Sequence, residues 1–252
     1  MTRVFAVAVL VVTTLCAGTS SADAGHIRVL ASNGIKAALD ALQPQLEKST
    51  GDTLSIDFNT AATMRDRIEK GEAFDVAILT DEAMDALIKA GKLSPVMHTK
   101  PARVGIGIGF RTGASKPDVR TAASLKQAML SAKAIAYTGN GASRPAIDRM
   151  IERLGIVKEM QAKSHLTGAG AAPTSVANGE SDLVLTLISE ILPEPGVELA
   201  GPLPPDFQTY LGFSAAPSTG AATSAGVAQF IRLLHSSSAA AAYTAKGMEA
   251  AR

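Results

Sequence analysis

The 252 residues include 24 Lys or Arg and 23 Asp or Glu, for a formal charge of +1. A near-neutral chain without a basic run argues against nucleic acid as a partner. A single cysteine, Cys16, leaves no disulfide and no thiolate metal site to consider.

Met1 to Ala24 reads as a secretory signal. Arg3 supplies the positive start, Phe5 to Leu15 is an apolar run too short to span a membrane, and Ala22-Asp23-Ala24 is an A-x-A cleavage site. Cleavage after Ala24 would leave a periplasmic chain that begins at Gly25 and lacks cysteine. Lipidation of Cys16 is disfavoured by the bulky Leu15 before it. No later apolar run is long enough to span a membrane.

The mature chain alternates strand and helix signals. Ile27 to Leu30 reads as a strand and Ser32-Asn33-Gly34 as a loop. Ile35, Ala38, Leu39, Leu42 and Leu46 then recur at helical spacing, with Pro44 as a possible kink. Leu54, Ile56 and Phe58 alternate as a second strand. The polar loop Asn59 to Thr63 leads into a helix that Gly71 stops, with Thr60 or Thr63 as its cap, the latter spaced with Asp66 as a capping box. A buried strand follows at Val76 to Leu79, and Asp81 is placed to cap the next helix. Alternation of this kind predicts an α/β fold with parallel sheets flanked by helices.

Val104 to Phe110, VGIGIGF, reads as a strand with glycine at alternate positions, one face left bare for close approach of another backbone. No helix opens after it, so it is not a dinucleotide fingerprint. Ala122 to Leu130 is a helix and Ala134 to Tyr137 a strand. Thr138 to Ser143 is then a glycine-rich loop into a helix, with Ser143 at its N-cap and Pro145 close behind. Lys163 to Leu166 reads as a strand, Gly168-Ala169-Gly170-Ala171 as another loop into a helix, and Leu183 to Leu187 as a buried strand. Val197 to Leu199 and Phe207 to Ser214 read as further strands, and the tail after Gly220 as two helices, the second over Ala239 to Met248.

Connectors near Pro101 to Gly105 and Pro202 to Tyr210 predict two lobes, residues 25–103 plus 208–252 and residues 104–207, with a ligand cleft between them. Four loops preceding helices would face it, each presenting unpaired amides at the positive end of a helix, an arrangement suited to an anion.

The run FNTAATMRDRIEKGEAFDVAILTD, Phe58 to Asp81, resembles the molybdate-binding branch of the type II periplasmic solute-binding proteins, whose pattern is F-x-x-S-x-x-L-x-x-x-I-x-x-G-x-x-x-D-[LV]-x-x-S-x-D. Phe58, Thr63-Met64, Ile68, Gly71, Asp75-Val76 and Asp81 fall in step, and the segments from Arg28 to Gly34 and from Ala136 to Gly155 also align. The resemblance implies a two-lobed type II periplasmic-binding-protein fold and a monomer that hands a small anion to the permease of an ABC importer, with no cofactor and no metal. It places the ligand among Ser32, Asn33, Gly34, Asn59, Thr60 and Ala61 on one side and Asn140, Gly141, Ala142, Ser143, Arg144, Ala169 and Leu187 on the other. The family's two first-lobe serines fall near Gly34 and Ala61, and its pocket tyrosine near Leu187. The lost hydroxyls disfavour molybdate and leave open an organic anion that meets Arg144 or Arg65, although Arg65 is also spaced to pair with Glu69.

An enzyme is disfavoured. His26, His98, His165 and His235 sit in no catalytic motif, with His165 alone placed near a cleft loop, and no G-x-S-x-G occurs. A binding module that feeds a sensor rather than an importer is the remaining alternative.

Overall fold

A computed structural model describes residues 25–251; the expected signal segment lies outside them. The first half of the chain contains β1 (His26–Ser32), a 3-10 turn at Asn33–Ile35, α1 (Lys36–Thr50), β2 (Thr53–Asn59), α2 (Ala61–Glu69), β3 (Val76–Thr80) and α3 (Asp81–Lys89). A long strand, β4 (Thr99–Arg111), follows. Then come α4 (Ala122–Ser131), β5 (Ile135–Thr138), α5 (Arg144–Leu154), α6 (Val157–Lys163), β6 (Ser164–Thr167), α7 (Ala171–Ala177), β7 (Leu183–Leu187), α8 (Ile188–Ile191) and β8 (Val197–Pro202). The chain returns through β9 (Tyr210–Pro217), α9 (Ala225–Leu233), α10 (Ser237–Ala245) and β10 (Met248–Ala250).

The strand order is β2-β1-β3-β9-β4-β7-β5-β6, with β8 and β10 also paired to β4. The outer strands pair in parallel, β2 with β1, β1 with β3, β5 with β6 and β5 with β7. The two strands that carry the chain between the halves, β4 and β9, run antiparallel to each other and to their neighbours. Within β4 the pairing changes partners: Ala102 to Gly105 pair with β9, whereas Ile106 to Phe110 pair with β7. The α/β alternation therefore builds the flanks, and β4 makes the crossing.

Local chemistry explains the elements. In α1 the residues Ala38, Leu39, Leu42 and Leu46 are buried at helical spacing, and Gly51 closes the helix at φ 79°, a conformation costly for any residue with a Cβ. Pro44 does not break it. All five residues of β3 and all five of β7 are buried, as strands covered on both faces require. In β4 it is side chains rather than a second backbone that crowd the glycines: a Cβ on Gly107 would lie 2.8 Å from Ile188 and 2.9 Å from Leu199, and one on Gly109 would lie 2.7 Å from Val184. The C-terminal helices pack on α1, where Gln45 donates to Ser238 Oγ (2.8 Å) and Gln229 to the Ser49 carbonyl (2.5 Å).

Several boundaries differ from the sequence reading. Helix α2 starts at Ala61: of the two caps the sequence offers, Thr60 is the one formed, its Oγ1 accepting the Thr63 amide at 3.2 Å. Asp81 is the first residue of α3 rather than its cap, and its carboxylate instead accepts from Ser214 Oγ (2.6 Å) and Lys100 Nζ (3.2 Å). Helix α6 carries only one buried residue, Met160, too little apolar periodicity to be read. Strand β10 is three residues long and exists because β4 offers it an edge, so the last helix ends at Ala245 rather than Met248.

Candidate functional site

The narrow cleft between the two halves is lined by Ser32, Asn33, Gly34, Thr60 and Ala61 on one side and by Thr138, Gly141, Ala142, Ser143, Gly170, Thr186, Leu187 and Glu190 on the other. Its cavity is about 20 Å³, room for roughly one water. A wider mouth of about 630 Å³ shares Asn33, Gly170 and Glu190 with it and adds Lys36, Asp40, Phe58, Asn59, Ala169 and Glu194. That volume falls within the ~300–1,000 Å³ usual for small-ligand sites.

Two helix N-termini aim into this cleft. At α2, Thr60 Oγ1 and the Thr60 carbonyl take the amides of Thr63 and Met64, so the amides of Ala61 and Ala62 have no protein acceptor among the described residues. At α5 the same holds for Ala142 and Ser143. Ser143 is the N-cap by position, but its backbone is helical (φ −75°, ψ −16°) and its hydroxyl makes no capping bond, contrary to the role the sequence suggests. The hydroxyl is nonetheless buried at the cleft.

The halves touch across the cleft. Ser189 Oγ donates to the Gly34 carbonyl at 2.6 Å, both groups buried. Asn140 Nδ2 reaches Thr63 Oγ1 at 3.5 Å. A Cβ on Gly34 would stand 2.5 Å from Leu187 Cδ1 and 2.6 Å from Phe213 Cζ, so the glycine at this position lets Leu187 close over it.

The cations behave differently from the sequence expectation. Arg144 does not line the cleft: its Nε pairs with Asp148 (2.7 Å) and its guanidinium lies over the Tyr137 ring (5.0 Å). Arg65 pairs with Glu69 (3.6 Å), as the spacing predicts. Lys36, which the sequence did not single out, stands in the mouth with its Nζ 2.6 Å from Asp40 and 4.5 Å from the Phe58 ring centre. His165 is tied to Ser181 Oγ at 3.0 Å, and Ser181 in turn accepts from Ser175, a hydrogen-bonded support inside the second half.

Glu190 was also missed. It lies at the junction of cleft and mouth. The residue keeps partial exposure through the opening, while its carboxyl is packed among protein groups and accepts the Thr186 hydroxyl and the Leu187 amide. Desolvation raises its pKa above the ordinary carboxylate value, against the two hydrogen bonds that favour the charged form. The only sequence signal is its place three residues after Leu187, where a glutamate reaches back to the N-cap amide in a capping box.

Among the described residues no group of three His, Cys, Asp or Glu could hold a metal ion, and no helix is long and apolar enough to cross a membrane.

A family model described as bacterial extracellular solute-binding protein matches residues 27–249. The chain belongs to this family. It is 30% identical over 203 residues to an aconitate isomerase of Pseudomonas sp., covering 75% of this chain and 74% of that protein. Its fold is similar to that of the Azotobacter vinelandii periplasmic molybdate-binding protein, with a TM-score of 0.76 and 18% identity over 90% of this chain and 100% of that one. It is also similar to that of PEB3 of Campylobacter jejuni in its L-phospholactate-bound structure, with a TM-score of 0.65 and 18% identity over 88% of this chain and 99% of that one. The family and these folds bear out the type II solute-binding architecture expected from the sequence; the aconitate isomerase adds an enzyme to a set otherwise named for binding.

Proposed function

We propose that this solute-binding protein is exported, that residues 25–103 plus 208–252 and residues 104–207 act as its two lobes, and that the cleft captures a small organic polycarboxylate for delivery to an ABC importer. One carboxylate of the ligand meets the amides of Ala61, Ala62, Ala142 and Ser143, with Ser32, Asn33, Gly34, Thr60, Asn140 and Gly141 shaping the floor. A second carboxylate lies in the mouth, where Lys36 offers a cation and Asn59 an amide.

The observation that carries the organic-acid reading over a bare oxyanion is Glu190 in the cleft wall. A dianion of the molybdate or sulfate type has no proton at neutral pH. Facing it, Glu190 either repels it in a poorly hydrated site or must hold a proton itself. An organic acid can instead set its carboxylates on the helix amides and near Lys36 and pass its uncharged carbon chain by Glu190, which lines both cleft and mouth. The relative named aconitate isomerase, more similar in sequence than the molybdate-binding fold neighbour, points the same way.

A thermal-shift series with molybdate, tungstate, sulfate, citrate, cis-aconitate and trans-aconitate tests this. A ligand at a hundredfold excess over Kd adds about 2.7 kcal/mol, roughly 5–11 °C in Tm for a chain of this size. The expected result is a shift with the polycarboxylates. A shift with molybdate or tungstate alone would overturn the reading. Loss of uptake of the same acid on gene deletion checks the importer role.

A further inference from the structure

We propose that Glu190 moves a proton on the bound ligand, so that the site interconverts double-bond isomers of an unsaturated polycarboxylate. The inference rests on the polycarboxylate reading above and adds turnover to capture.

The geometry supplies the parts such a reaction needs. Glu190 is the carboxyl that faces both the narrow cleft and the mouth. A ligand with one carboxylate on the amides of Ala61 and Ser143 and another near Lys36 therefore lays its carbon chain past Glu190. Consider an acid in which a methylene is flanked by a carboxylate and by one end of a carbon–carbon double bond. The Glu190 carboxylate takes one methylene proton: a C–H bond breaks and a Glu190 O–H bond forms. The electron pair spreads over the three-carbon allyl unit and onto the attached carboxylates. Glu190 then returns the proton to the far carbon of the former double bond. The double bond has moved by one carbon, and its new geometry, cis or trans, is set by how the chain was held. No atom is gained or lost and no oxidant, metal or cofactor enters the balance.

Two features suit Glu190 to this task. Burial lifts its proton affinity, which brings a carboxylate closer to the weak carbon acid it must deprotonate. The unpaired amides at the two helix N-termini lie where negative charge grows on the ligand carboxylate, a stabilisation that strengthens as the carbanion forms. Capping α8 does not by itself call for an acid, since glutamine serves equally in a capping box.

The test uses the mature protein and trans-aconitate as probe, with isomerisation followed by proton NMR and binding by calorimetry. Wild type is expected to bind and to produce cis-aconitate. Glu190→Gln, which preserves the cap, should bind within a few-fold of wild type and lose at least about 100-fold in turnover. The rate should rise with pH through an apparent pKa above the ordinary carboxylate value, because the base must be ionised. Thr186→Val removes a bond that favours the ionised form and should move that pKa up. The other charged groups at the mouth are Lys36 and Asp40 of α1, paired with each other, and Glu194; Glu194→Gln should leave the profile unchanged. Binding without isomerisation by wild type would overturn the inference and spare the proposed function. Absence of polycarboxylate binding would overturn both. Turnover that survives Glu190→Gln, or that is lost only together with binding, would remove Glu190 from the proton's path.

Discussion

Replacing Gly34 by alanine tests the closed cleft most directly. The added methyl would stand 2.5 Å from Leu187 Cδ1 and 2.6 Å from Phe213 Cζ, about 1 Å inside the ~3.5–4.0 Å optimum between carbons. Both neighbours are buried, Phe213 completely, so neither side chain can swing into solvent. Overpacking of this kind costs about 1–3 kcal/mol. Leu187 belongs to β7, across the cleft from the turn that holds Gly34, so its share of the cost falls on the closed arrangement and appears in ligand affinity. At about 1.4 kcal/mol per tenfold, affinity should fall by up to about 150-fold, the limit reached if the whole cost falls on closure. Calorimetry with the ligand found by thermal shift measures it. The double variant Gly34→Ala/Leu187→Ala should recover part of the loss, because the two sites share one contact. Wild-type affinity in Gly34→Ala, with Tm also unchanged, would refute the packing account.

Three further outcomes follow from the same geometry. Thr60→Ala removes the cap of α2 and should cost about 1 kcal/mol, seen as a Tm lower by roughly 2–4 °C. Ser143→Pro, which deletes a cleft amide, should weaken binding well beyond Ser143→Ala, which keeps it; equal, unchanged affinities by calorimetry would place the ligand elsewhere. Asp57 accepts from Arg28 and Arg67, each at 3.1 Å, and the Arg28 bond foremost holds its pKa below the usual carboxylate range. A depressed carboxylate contributes stability that is present above its unfolded pKa and lost as pH falls through the folded one. Between roughly pH 5 and pH 2.5 wild type should therefore lose more Tm than Asp57→Asn, by a modest amount because the pair is partly exposed.

Much of this architecture is legible in the sequence because its signals are local. The spacing of Ala38, Leu39, Leu42 and Leu46 makes α1 amphipathic, the four successive apolar residues Val76 to Leu79 of β3 make a strand covered on both faces, and Gly51 and Gly155 end their helices because the left-handed turn needs no Cβ. The loops before α2 and α5 are likewise readable as small, amide-rich entrances to helices. The site residues that depend on distant neighbours are not readable in this way. The sequence offers Thr60 and Thr63 as caps of α2, and the choice of Thr60 goes with the end of β2 at Asn59, beside Ser32. Arg144 is held off the cleft by Asp148, one turn on in the same helix and so within reach of sequence spacing, and by the Tyr137 ring, whose position depends on how α5 packs by β5.

Glu190 and Lys36 show the limit most clearly. Alone in the sequence, each is an ordinary charged residue on or near a helix. Lys36 faces a ligand-sized mouth because α1 lies beside α8, and Glu190 has a raised pKa because burial desolvates its carboxyl, against the hydrogen bonds from Thr186 and the Leu187 amide. Side-chain periodicity and turn chemistry are set by neighbours within a few residues, so the sequence by itself determined the α/β elements, their order and the helix entrances that can meet an anion. Desolvation and the convergence of groups far apart in the chain, such as Gly34 and Ser189, exist only once the strands have paired through β4, and so the tertiary structure alone decided which acid and which cation stand at the cleft.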